Sequence, residues 1–128
     1  MDAEQKYQQP MTPWAELAKY GASIKIRDSD LDIFYFEAGA ENSQAILMVH
    51  GLGDEADTWR HVFLPLAEDY HVFALDLPGF GRSDKPDQDY KLSFMLETLI
   101  AVLNELELDN AILVGNSLGA ILIHVLAL

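Results

Sequence analysis

A serine placed between two glycines is the feature of this sequence with the clearest capacity for chemistry. Residues 111–120 read AILVGNSLGA, so Gly115 and Gly119 each stand two positions from Ser117. A sharp turn from a strand into a helix would lift the serine hydroxyl clear of the sheet edge, where it can act as a nucleophile. A side chain at either glycine would collide with the neighbouring strand or helix. The pattern predicts a nucleophilic serine, with a plain turn between core elements as the alternative.

Two earlier apolar runs end in loops that could meet the same sheet edge. Residues 45–49 read AILMV and lead into His50-Gly51-Leu52-Gly53, and residues 72–75 read VFAL and lead into Asp76-Leu77-Pro78-Gly79-Phe80-Gly81-Arg82-Ser83. Continuous apolar strands that alternate with helices are typical of a parallel sheet covered on both faces.

The other elements are predicted from hydrophobic periodicity. Residues 23–27 and 31–36 alternate around a polar turn and predict a β-hairpin. Pro65 interrupts the helix after Trp59, so that helix should be short or restart there. A clearer helix is predicted over residues 92–106. Its apolar face should carry Leu96, Leu99, Ile100, Leu103 and Leu106.

In order and spacing, these three motifs resemble the α/β-hydrolase superfamily, serine-nucleophile branch, over about residues 20–128. Members have a sheet of about eight strands and a triad that runs Ser, then Asp or Glu, then His. The resemblance implies an α/β fold, the N-terminal part of an α/β-hydrolase, with a mostly parallel sheet and flanking helices, truncated after the nucleophile helix begins. The catalytic acid and histidine would then lie beyond Leu128.

A serine hydroxyl needs a base to take its proton, and no histidine of this chain stands where the family places that base. His50 closes a strand and should brace its loop, His61 should lie on the first helix, and His71 should begin a strand. His124 lies two turns into the nucleophile helix, about 10 Å from its start. Its imidazole is therefore not expected to reach Ser117.

The resemblance also implies an oxyanion hole made of two backbone N–H groups. One donor follows the nucleophile and is Leu118 here. The other comes from the loop after the third strand and is Leu52, where Gly51 and Gly53 would allow close approach to substrate. The helix that starts at Leu118 adds its positive dipole end. A tight turn without a catalytic part is the alternative for Leu52.

Asp76 is a candidate acid on position alone, but we expect it to hold its turn through backbone hydrogen bonds. Asp54, Glu55 and Asp57 are interpreted as a solvated loop and helix start. The sequence has no cluster with metal-ligand spacing and no phosphate-binding Gly-Lys-Ser/Thr, so no cofactor and no metal are expected.

Composition is that expected of a cytoplasmic enzyme. The 128 residues include no cysteine, and 21 acidic against 8 basic residues give a net charge of −13. That charge disfavours nucleic acid and anionic membranes as partners. The longest apolar run, residues 118–128, is too short to span a bilayer. The expected partner is a small-molecule acyl substrate, and the oligomeric state cannot be predicted.

We divide the chain into an N-terminal extension, residues 1–20, and a partial α/β-hydrolase domain, residues 21–128. The expected function is hydrolysis of a carboxylic ester or related acyl bond through Ser117. Within the fold, a carbon–carbon bond hydrolase or an aminopeptidase is an alternative. A non-catalytic binding or regulatory half-domain is the alternative of another class.

Overall fold

The computed structural model describes residues 11–128, and within them one mixed sheet forms the centre of the fold. Its strands lie in the order β1-β2-β4-β3-β5. β1 and β2 are antiparallel, as are β2 and β4, whereas β3 is parallel to both β4 and β5. The strand bounds are β1 Gly21–Ile26, β2 Leu31–Ala38, β3 Ala45–Val49, β4 His71–Leu75 and β5 Ile112–Gly115. The predicted hairpin and the α/β fold class are confirmed.

Within residues 11–128, three α-helices flank the sheet: α1 Phe63–Ala67, α2 Leu92–Glu105 and α3 Leu118–Ala127. Short 3-10 helices cover Ala18–Tyr20 and Ala56–Trp59. Pro65 lies inside the first turn of α1, where its missing N–H removes no helical hydrogen bond. The break therefore comes earlier than predicted, in the turn at residues 60–62, and His61 lies in that turn and not on a helix.

The buried face of α2 differs in part from the predicted one. Met95, Leu99 and Val102 are buried, at spacings of four and three residues that form one helical row. Ile100, expected on that face, is 39% exposed. The prediction followed the leucines and isoleucine and so missed Met95 and Val102, which complete the row through Leu99.

The sheet is covered on both faces because alternate residues of its central strands point to opposite sides. Leu47 and Val49 of β3 pack in a cluster with Leu99 of α2 and Leu122 of α3. Met48 packs on the other side, in a cluster with Phe63 of α1. Leu17, within the predicted N-terminal extension, is buried in this second cluster.

None of the helices in residues 11–128 combines the length and apolarity needed to cross a bilayer. Over the same residues, no three His, Asp or Glu side chains are grouped so that they could hold a metal ion.

Candidate functional site

Ser117 stands at the junction of β5 and α3 in a backbone conformation that non-glycine residues seldom adopt. Its φ is 56° and its ψ is −116°, and the residue is exposed. Such strain persists only where the surroundings enforce it, and it is common at active sites. The structure thus places this serine in a strained strand-to-helix turn.

The two flanking glycines explain how the turn is packed. A Cβ on Gly119 would collide with the Val49 carbonyl oxygen, and one on Gly115 would lie 2.6 Å from the Ala120 nitrogen. The Asn116 N–H also donates to the Val49 carbonyl oxygen at 3.1 Å. β3, β5 and α3 therefore meet so closely that neither glycine position has room for a side chain.

The loop after β3 passes beside the serine. A Cβ on Gly51 would lie 3.1 Å from the Ser117 Cβ and 3.7 Å from its Oγ. The loop then turns back, because the Asp54 N–H donates to the Gly51 carbonyl oxygen at 3.2 Å and Gly53 has a φ of 73°. Leu52 lies at the tip of this turn and is 75% exposed.

The backbone N–H groups of Leu52 and Leu118 belong to the two segments that meet at Ser117. Leu118 is the first residue of α3, where backbone N–H groups have no partner within the helix. In residues 11–128, neither N–H donates to a backbone carbonyl. Both N–H groups are thus free of backbone partners, and they belong to the two segments that flank the exposed Ser117.

His50 is fully buried and both of its ring nitrogens are occupied. Its Nδ1 lies 2.7 Å from the Gly51 carbonyl oxygen, and its Nε2 accepts from the Leu77 N–H at 2.9 Å. These partners require a proton on Nδ1 and a lone pair on Nε2, which is the neutral imidazole. Burial lowers the pKa of His50 and so favours the same neutral form. As predicted, His50 braces its loop.

The structure does not bring the other histidines to Ser117. His71 begins β4 and lies 2.5 Å from a carboxylate oxygen of Glu37, while His124 is exposed on α3. In the described part of the chain, no histidine is hydrogen-bonded to Ser117.

Asp76 is fully buried and holds its turn through backbone hydrogen bonds, as predicted. Its Oδ1 accepts from the Ala56 N–H at 2.7 Å and its Oδ2 from the Arg82 N–H at 2.8 Å. The Ser83 hydroxyl donates to the Asp76 carbonyl oxygen at 2.6 Å. Backbone N–H groups thus occupy both carboxylate oxygens of Asp76, and neither oxygen is hydrogen-bonded to a histidine in the described residues.

The sequence interpretation of Asp57 as part of a solvated segment is wrong. Asp57 is 4% exposed, and its Oδ1 accepts from Nη2 of Arg82 at 2.5 Å. Arg82 also donates from Nε to Oδ2 of Asp76 at 2.8 Å and from Nη2 to Oδ1 of Asp76 at 3.0 Å. The guanidinium thus joins two buried carboxylates that are 19 residues apart in sequence.

The electrostatics of this ion-pair network follow from its burial. Burial disfavours the charged guanidinium, but the hydrogen bonds to Asp76 and Asp57 outweigh it and raise the pKa of Arg82. Nearby, burial first and then the charges of Asp54, Asp57 and Asp76 raise the pKa of Glu55. The one hint in the sequence is that Arg82 and Lys85 are cations in the loop that follows a buried strand, but nothing in the sequence identifies the carboxylate partner of either.

Three known proteins show what the chain is similar to. Epoxide hydrolase 4 of Mus musculus is 31% identical over 106 residues, which is 81% of this chain and 30% of that protein. A membrane phospholipase A, a bacterial virulence factor, is 37% identical with a TM-score of 0.72, and the match covers 77% of this chain and 32% of the phospholipase chain. Haloalkane dehalogenase DbeA of Bradyrhizobium elkani is 30% identical with a TM-score of 0.77, and the match covers 84% of this chain and 36% of the dehalogenase chain.

The chain spans about a quarter to a third of the length of the curated relatives it matches. A family model described as the alpha/beta hydrolase fold matches residues 44–128, which include the turn at Ser117 and both loops beside it. The chain therefore belongs to the α/β-hydrolase fold family.

Proposed function

We propose that this chain provides the nucleophile and the oxyanion hole of a serine hydrolase that cleaves a carboxylic ester or a related acyl bond. The observation that carries the proposal is the turn at Ser117, which holds an exposed hydroxyl at a φ of 56° beside the Gly51 backbone. A strained turn of this kind is the usual way in which the family presents its nucleophile.

In the proposed reaction, Ser117 Oγ forms a bond to the substrate carbonyl carbon while its proton passes to a base. The carbonyl oxygen becomes an oxyanion, which the N–H groups of Leu52 and Leu118 stabilise. The alcohol leaves with a proton from the base, and water then releases the acid from the acyl-enzyme. The positive end of the α3 dipole lies at the same point and favours the oxyanion further.

The catalytic acid and base are proposed to come from sequence that follows Leu128 in the natural protein. His50 cannot serve, because its Nε2 accepts from Leu77 and its Nδ1 proton is directed to Gly51. The family order places both groups after the nucleophile, and the relatives extend well beyond the matched part.

Ester hydrolysis is favoured over the chemistry named for two of the similar proteins. Epoxide hydrolases and haloalkane dehalogenases use a carboxylate nucleophile, whereas this chain has serine at position 117. The name of the third, a phospholipase A, refers to an ester bond. Carbon–carbon bond hydrolysis and aminopeptidase activity also use serine and stay alternatives within the fold.

A non-catalytic half-domain is the alternative of another class. It would leave the outer edge of β5 and the exposed side chains of Ile112 and Ile121 in contact with water. An unprotected apolar edge favours association, which counts against this alternative. A small-molecule substrate fits the net charge of −13, and the cytoplasmic location stays a prediction.

The proposal is tested with the natural protein that contains this chain and a short-chain nitrophenyl ester. We expect Ser117→Ala to lower kcat by several orders of magnitude, because the enzyme loses the hydroxyl that attacks the substrate carbonyl. Ser43→Ala, an exposed serine before β3, serves as the matched control and should leave kcat unchanged. Turnover that survives in Ser117→Ala would show that the nucleophile is assigned wrongly.

A further inference from the structure

The turn that carries Leu52 is tied at both ends to the segment after β4. At its start, His50 joins the Gly51 carbonyl oxygen to the Leu77 N–H. At its end, the Ala56 N–H donates to Oδ1 of Asp76 at 2.7 Å. The position of the Leu52 N–H therefore depends on these flanking contacts as well as on the hydrogen bond from the Asp54 N–H to the Gly51 carbonyl oxygen that closes the turn.

Arg82 and Asp57 complete the tie on the far side of the turn. The Arg82 side chain is 5% exposed and that of Asp57 is 6% exposed, with 2.5 Å between Nη2 and Oδ1. A buried ion pair of this geometry is directional, and an isolated buried charge would be costly. The pair thus fixes the 3-10 helix Ala56–Trp59 against the loop that contains Arg82.

The same network reaches the chain that precedes β1. The Trp14 N–H donates to Oδ2 of Asp57 at 2.6 Å, so both carboxylate oxygens of Asp57 are occupied. The Arg60 guanidinium lies over the Trp14 ring, 5.0 Å from its centroid. Asp57 has no freedom to move without breaking contacts to two separate segments.

We propose that Asp57 and Arg82 are positioning residues for the oxyanion hole, because their buried ion pair fixes the segment after the Leu52 turn and through it the Leu52 N–H beside Ser117. The inference rests on the proposed function. Neither side chain contacts the reacting atoms. Since a displacement of about 1 Å at an active site can cost about a hundredfold in rate, a loosened network should lower turnover while the fold survives.

The test uses Asp57→Asn and Arg82→Lys in the natural protein. Asparagine keeps the shape of Asp57 but loses its charge, and lysine keeps the charge of Arg82 but loses its forked geometry. Asp84→Asn is the matched control, because Asp84 lies in the same loop and accepts the Asp32 N–H at 2.8 Å without contacting the Leu52 segment.

Each variant is assayed with an ester and with the corresponding thionoester, in which sulfur replaces the carbonyl oxygen. Sulfur is a weak hydrogen-bond acceptor, so an intact oxyanion hole favours the ester. In both network variants we expect a kcat for the ester about 10- to 100-fold lower, a KM close to the original value and a smaller ester-to-thionoester ratio. Asp84→Asn should keep the original ratio.

Three results would overturn the inference. They are an unchanged kcat in the folded network variants, a loss of rate that leaves the ester-to-thionoester ratio unchanged, and loss of folded protein in both variants, which would mean that the ion pair only supports the fold. If Ser117→Ala loses activity in the same assay while the network variants keep theirs, the proposed function stands and the positioning role alone fails. Retained turnover in Ser117→Ala would overturn both.

Discussion

Gly119 lets α3 begin in direct contact with β3, since a Cβ there would collide with the Val49 carbonyl oxygen. That oxygen belongs to the backbone of a central strand and cannot move aside cheaply. We expect Gly119→Ala to lower the free energy of unfolding by about 3 kcal/mol, as measured by urea denaturation of the natural protein.

Gly53→Ala separates crowding from backbone strain. A Cβ on Gly53 would meet nothing within 4 Å, although its φ of 73° disfavours alanine. We expect Gly53→Ala to lower the free energy of unfolding by only about 1 kcal/mol, the cost of the backbone conformation alone. An equal or larger loss in Gly53→Ala than in Gly119→Ala would contradict the close packing of α3 on β3.

His50 gives the stability a pH dependence with a definite sign. Burial lowers its pKa in the folded state below the ordinary value of 6.5. Between those two pKa values the unfolded chain therefore binds more protons than the folded one, and stability falls as the pH falls. The contribution of His50 is complete above about pH 6.5 and is lost progressively below it.

The measurement is the free energy of unfolding between pH 8 and pH 5, for the original protein and for His50→Gln. His124→Gln on the exposed face of α3 is the control. We expect the difference between the original protein and His50→Gln to shrink as the pH falls below about 6.5. Parallel curves across that window would show that His50 is not held neutral by the fold.

Among single residues, some roles could be predicted from the sequence and others could not. The strained turn at Ser117 and the bracing role of His50 could be predicted, because each depends on neighbours in sequence or on the end of a strand. The burial of Asp57 could not. It depends on Arg82, 25 residues away, and a local pattern of acidic residues is the same for a solvated loop and for one side of an ion pair.

Elements were more predictable than side-chain contacts because apolar periodicity reports burial directly. The five strands of the described part of the chain all follow runs that are visible in the sequence, and α2 ends within a residue of its predicted bounds. The error at Ile100 has a physical origin. Nine of the 14 residues of α2 are apolar, so the choice of its buried row depends on the sheet beneath it.

β5 is the strand through which we expect residues 1–128 to pair with another molecule. It is one of the two edge strands of the described sheet, and Ile112 on it is 45% exposed. Between β5 and α3 lies an open apolar groove of about 460 Å³, lined by Leu113, Ala120 and Ile123 among others. We expect residues 1–128, expressed alone, to associate through this edge and to bind a dye for apolar surfaces, because patches of this kind seldom stay solvated.

Ile112→Lys tests that expectation, since a lysine on an edge strand opposes pairing. Sedimentation should show less association of this variant than of the original residues 1–128. Glu107→Gln, outside β5, changes the net charge by the same one unit and is the control for net charge. If the original residues 1–128 sediment as a compact monomer and do not bind the dye, the result would contradict the expectation and favour the half-domain alternative.

At the scale of the whole molecule, the sheet brings three loops to one edge. The loop after β3 carries Leu52, the loop after β4 carries Asp76 and Arg82, and the turn after β5 carries Ser117. The parallel register of β3 with both β4 and β5 makes these strands end together, with Val49 opposite Leu75 and Gly115. Family resemblance predicted this convergence, whereas the ion pair that locks two of the loops together needed the structure.

The central claim is that Ser117 is the nucleophile of an acyl-transferring hydrolase. Its most direct test is treatment of the natural protein with a fluorophosphonate, which reacts with activated serine hydroxyls, followed by digestion and mass spectrometry of the peptides. We predict one stoichiometric adduct on the peptide that contains Ser117, no adduct in Ser117→Ala, and loss of esterase activity in step with labelling. An adduct on another serine, or full inactivation with Ser117 unmodified, would contradict the account.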